Sequence, residues 1–143
     1  MQHLFTVRIP FPFFESGAMN SIKKRNLLSL NNISKWRFKK TEIKNEYQRL
    51  LKEMYFPEPA TKYDSLTFQY RIIRDSGIRF DQDNAIFVAK FSFDALEEMG
   101  YVKDDKTISL QTFPTIIDKS LPETMVEIRV LAGSANWDTP LPE

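Results

Sequence analysis

Residues 81–110 read DQDNAIFVAKFSFDALEEMGYVKDDKTISL. Asp83 and Asn84 are both good N-cap types, and Gly100 is a natural residue to follow a helix C-terminus, so the spacing predicts a helix between them. Ile86, Ala89, Phe93 and Leu96 recur at helical spacing and mark its buried stripe. The run from Thr107 alternates and reads as the strand that follows. Such a unit places acidic residues at both ends of one helix: Asp81 and Asp83 before it, Asp104 and Asp105 after it.

Working outward, residues 4–9 (LFTVRI) form a first strand that ends at Pro10, which fits a sheet edge. A loop extends to about residue 40. A helix over 41–54 follows, capped by Thr41 and stopped by Pro57 and Pro59. Ile43, Tyr47, Leu50, Leu51 and Met54 lie on its apolar side, and Lys44, Arg49 and Lys52 lie opposite. Residues 66–73 (LTFQYRII) alternate as a strand, with Leu66, Phe68, Tyr70 and Ile72 on one face. Residues 107–113 and 125–131 supply two more strands, joined by a loop over 114–122. The expected fold is mixed α+β: a small mixed sheet of about four strands with two main helices. It forms one domain over 1–133, followed by a loose tail over 134–143.

A chain of 143 residues with 42% hydrophobic and 27% charged residues can bury one core without covalent help. It has no cysteine, which excludes disulfides, thiolate zinc sites and a cysteine nucleophile. His3 is its single histidine, so histidine-based metal sites and Ser-His-Asp catalysis are excluded as well. Hydrolytic chemistry would have to run on carboxylates, lysine or a bound ion. The start lacks a basic n-region and a small-residue cleavage site, and no stretch approaches the roughly 18 apolar residues of a membrane span. A cytoplasmic protein with no membrane partner is expected.

The net charge of +1 hides an asymmetry. Residues 21–53 carry ten Lys and Arg against Glu42, Glu46 and Glu53, whereas residues 81–105 carry seven acids against Lys90 and Lys103. One half can attract a polyanion and the other a cation. Asp81 and Asp83, two residues apart in extended backbone, can turn toward one hard cation that selects oxygen ligands. The pair is equally a good helix start, because carboxylates favour the positive end of the helix dipole. An EF-hand is excluded, since Ile86 stands where the loop needs Gly and Ser92 where it needs Glu. A helix over 84–99 would be about 24 Å long. The two acidic pairs therefore meet only if the fold or a partner subunit joins them.

The order DQDN (81–84), Lys90, FDAL (93–96), Gly100, DD (104–105) and TISL (107–110) resembles the signature of the RusA family of Holliday-junction resolvases. The upstream Ser29-Leu30-Asn31 and the late TMVEIRV (124–130) are similar to the family's flanking segments, and the likeness covers most of 28–131. The resemblance implies a homodimeric endonuclease that binds branched DNA, a four-way junction, and nicks opposing strands with Mg²⁺ or Mn²⁺. It makes Asp81, Asp83 and Asp105 the metal ligands and Lys90 the catalytic lysine. Asp104 reads as a neighbour of the site and Asp94 as a solvated helix residue.

One departure stands out. The family places its lysine four residues after the second Asp of the Asp-x-Asp pair, where this chain has Phe87, while Lys90 is seven residues after. Both spacings return to one helix face. The basic segment with Lys35, Arg37, Lys39, Lys40 and Lys44 would track DNA phosphates. A junction-binding protein without catalysis, and a metal nuclease without junction preference, are the competing readings.

Overall fold

The computed structural model describes residues 2–10, 40–74, 86–122 and 124–134, with helix side chains described from 44 and from 88 onward. The strands are β1 (Gln2–Pro10), β2 (Leu66–Arg74), β3 (Ile108–Thr112), β4 (Ile116–Ile117) and β5 (Met125–Ala132). The helices are α1 (Lys40–Leu50), extended by a π-helical turn over Leu51–Tyr55, and α2 (Ile86–Met99). The described residues form a mixed α+β arrangement of one sheet and two main helices.

β2 is the organising strand. It pairs antiparallel with β5 and parallel with β3 and β4, and β1 closes the far edge against β5 in the order β1-β5-β2-β3. Parallel neighbours cannot be joined by a hairpin, so the chain between β2 and β3 must cross over, and α2 is that crossover. Leu66, Phe68, Tyr70 and Ile72 share one face of β2 and enter the same core as Phe5, Ile9, Val126, Ile128 and Val130. Onto this face pack Tyr47 and Leu51 of the α1 segment and Val88, Ala95 and Leu96 of α2. Phe68 meets Phe93 edge-on at 5.3 Å between ring centroids, and Phe5 lies 5.1 Å from Phe56. β1 is an edge strand, as Pro10 indicates.

Three details differ from the sequence reading. The segment read as a loop over 114–122 contains β4, whose Ile116 aligns with Ile73 and whose Ile117 aligns with Arg74. Two residues after a proline are too few to show an alternation, so the sheet has five strands rather than four. The stripe of α2 is centred on Val88, Ala89, Phe91, Ser92, Ala95 and Leu96, with Phe93 only partly buried. Finally, Met54 is 66% exposed instead of core-facing. The backbone N–H of Phe56 donates to the Leu51 carbonyl at 2.7 Å, an i to i+5 bond that widens the turn. That shift swings Met54 outward and brings Phe56 into the core.

The end of α2 fixes what comes next. Gly100 has φ of 91°, a left-handed conformation that an L side chain resists. Tyr101 N–H donates to the Leu96 carbonyl and Gly100 N–H to the Glu97 carbonyl, both at 3.0 Å, which is a Schellman closure. The chain reverses there, Tyr101 and Val102 enter the core, and the next residues turn back along the helix before β3 begins.

Candidate metal centre

The turn after α2 is held by Asp104. Its Oδ1 accepts the Lys106 backbone N–H at 2.9 Å, and its carbonyl accepts the Thr107 hydroxyl at 2.7 Å. The Lys106 N–H favours the ionised carboxylate and lowers the Asp104 pKa. Asp104 is therefore the residue that shapes the 3-10 turn Asp105–Thr107. That turn presents Asp105 toward α2.

There Asp105 meets Asp94 and Glu97, and one carboxylate oxygen from each of the three lies within 4.8 Å of the others. Asp94 and Glu97 are three residues apart on α2, and Lys90 precedes Asp94 by four, so all three occupy one helical stripe. Lys90 is exposed. Asp94 and Asp105 are half-buried and Glu97 is exposed. Local desolvation and then repulsion from Asp105, Asp104, Asp94 and Glu98 raise the Glu97 pKa. Bringing like charges together in this way is unfavourable unless a cation offsets it.

Asp94 is also held from α1. Lys44 Nζ lies 3.5 Å from its Oδ2, and the buried Gln48 places Nε2 at 3.5 Å from the same oxygen while donating to the Phe91 carbonyl at 3.2 Å. The other described cations of this helix segment are paired too: Arg49 with Glu46 and Glu53, and Lys52 with Glu98 of α2. Among the described residues, Glu97 and Asp105 have no ion-pair partner. The donor set fits Mg²⁺ or Mn²⁺, since three carboxylate oxygens at an open surface suit a hard ion that keeps part of its water shell.

No protein-family model matches the chain, and no curated protein matches it.

Of the residues singled out from sequence, Asp105 is brought into this carboxylate group. Lys90 stands on the same helical stripe, one turn from Asp94. Lys44 is placed in an ion pair across the helices. Lys40 opens α1, but its side chain lies outside the described residues, as do Asp81, Asp83, Lys35, Arg37 and Lys39. α2 spans 14 residues, about 21 Å of rise. Asp105 follows its C-terminal end in sequence, and the reversal at Gly100 sets it beside Asp94 and Glu97. Asp94, read from sequence as a solvated helix residue, keeps a side chain 37% exposed while Lys44 and Gln48 approach its Oδ2. Glu97 carries no distinctive motif in the sequence. Its only local signal is the spacing 90, 94, 97, and the third carboxylate arrives through the reversal at Gly100.

Proposed function

We propose that the chain is a metal-dependent endodeoxyribonuclease of the RusA type, acting on four-way DNA junctions in recombination and repair. The observation that carries this reading is the convergence of Asp105 with Asp94 and Glu97 beside the stripe that bears Lys90. It adds to the sequence likeness, which rests on Asp81, Asp83, Lys90 and Asp105. A bound Mg²⁺ or Mn²⁺ would lower the pKa of a coordinated water and offset charge on the scissile phosphate. Asp105 and Glu97 are the described groups that would hold such an ion, and Asp94 would join them when released by Lys44. Lys90 would present its ammonium to a phosphate oxygen.

A homodimer is part of this proposal. One feature supports it. Among the described residues no further strand lies beside β3 and β4, that edge exposes Leu110, Ile116 and Ile117, and 108–117 carries no charged residue. An uncharged open edge favours pairing.

The reading of a junction-binding protein without cleavage is favoured by one observation, the engagement of Asp94 by Lys44. Incubating the full chain with a mobile synthetic junction and with linear duplex, each with Mg²⁺ or with EDTA, separates the cases. Mg²⁺-dependent nicks confined to the junction support the proposal. Binding without nicks supports the alternative, and equal cutting of both substrates would mean a nuclease without junction preference.

A further inference from the structure

The sheet face turned away from α1 and α2 carries a second charged group. Arg8, Glu127 and Arg71 are cross-strand neighbours on β1, β5 and β2. Each sits between residues that point into the core, so all three point away from it. Arg8 Nε donates to Glu127 Oε2 at 2.9 Å, and Arg71 Nε donates to Oε1 at 2.8 Å. The Glu127 side chain is 11% exposed, while those of Arg8 and Arg71 are 47% and 34% exposed. Burial opposes ionisation of Glu127, but the two guanidiniums outweigh it and hold its pKa below the usual range.

We infer that Arg8 and Arg71 form a phosphate-binding site, preset by Glu127, that takes a phosphodiester group of the DNA backbone. The choice of DNA rests on the proposed function; the site itself rests on three observations. First, one arginine bound through two parallel N–H bonds would satisfy a carboxylate, yet here two arginines each use Nε alone. Second, the terminal NH₂ groups of both guanidiniums, on half-exposed side chains, have no partner among the described residues. Third, the group itself sets two guanidiniums, Arg8 and Arg71, against the one carboxylate of Glu127. Neighbouring strands lie about 4.8 Å apart, so the two arginines flank Glu127 symmetrically and converge on it. Two guanidinium forks fixed at one anchor suit the planar, multi-oxygen recognition of a phosphate better than a lysine would.

The test uses the full chain in metal-free buffer and a fluorescent four-way junction titrated over a range of KCl. In the folded Arg8→Gln, Arg71→Gln double variant, the slope of log affinity against log salt should become shallower by about 0.9 for each phosphate that is no longer neutralised. An unchanged slope would overturn the site. Because the double variant can lose stability, the wild-type protein is also labelled with an arginine-specific dicarbonyl and mapped by mass spectrometry. DNA should protect Arg8 and Arg71 several-fold, whereas equal labelling with and without DNA would contradict the proposal. Protection without junction cleavage would keep this site and remove the nuclease reading. Cleavage without protection would do the reverse.

Discussion

Lys44 of α1 and Asp94 of α2 face each other across the helix pair, with Nζ 3.5 Å from Oδ2. The pair ties the basic helix to the acidic group and would compete with the proposed cation for the same oxygen. Both side chains are over a third exposed, at 40% and 37%, so the pair adds at most about 1 kcal/mol to stability. Lys44→Gln should therefore melt close to the wild type and bind Mn²⁺ several-fold more tightly by calorimetric titration. Unchanged or weaker Mn²⁺ binding would remove Asp94 from the ligand set.

Lys90 tests the shifted lysine. It is exposed and lies one helical turn before Asp94 on the same stripe. If Lys90 stabilises charge on the phosphate, Lys90→Ala should lower the cleavage rate by about 10²-fold with little change in junction binding. A near wild-type rate would end its catalytic role and make Lys103 or Arg79 the next residues to replace.

Much of the fold was legible because its signals are local. The alternation of Leu66, Phe68, Tyr70 and Ile72 defines the core face of β2, Gly100 marks the end of α2, and Pro10 marks an edge strand. The π turn was not legible, since nothing in LKEMY distinguishes an i to i+5 bond from an ordinary helical one. β4 borrows its strand geometry from β2 and has no pattern of its own. In the candidate site, Asp105 was singled out through a resemblance, whereas Asp94 and Glu97 join it only through the chain reversal. Spacing along a sequence does not encode such a meeting.

The π turn gives a direct check on packing. Leu51 is fully buried and Met54 is 66% exposed, although a regular helix would place them on neighbouring faces. Leu51→Ala should cost about 2–5 kcal/mol of unfolding free energy in urea titrations. Met54→Lys should stay within about 0.5 kcal/mol of wild type. A large loss in the second variant would place Met54 in the core.

Glu97 sets a pH dependence. Its folded pKa is raised above the usual 4.5, so the protonated form is favoured in the native state. Its contribution to stability is thus present below the unfolded value and is lost as pH rises through the folded value. Metal binding runs the other way, because a ligand must be deprotonated. Mn²⁺ affinity should fall as the pH drops and should begin to do so above pH 4.5. The melting temperature without metal should rise relative to Glu97→Gln over the same interval. A Mn²⁺ affinity independent of pH between about 3.5 and 7, limits that bracket the usual carboxylate range of about 3.9–4.3, would exclude Glu97 as a ligand.

Neutralising Asp105 bears most directly on the proposed chemistry. Asp105→Asn keeps the shape of the turn, whose bonds run through Asp104, and removes one ligand charge together with its repulsion of phosphate. Strand nicking of a mobile four-way junction is measured in Mg²⁺ beside junction binding in metal-free buffer. The wild type should nick opposing strands, and Asp105→Asn should bind the junction at least as tightly without cutting it, as should Asp83→Asn. A wild type that binds but never nicks, or an Asp105→Asn protein that still cuts at the wild-type rate, would contradict a metal-dependent nuclease built on this residue.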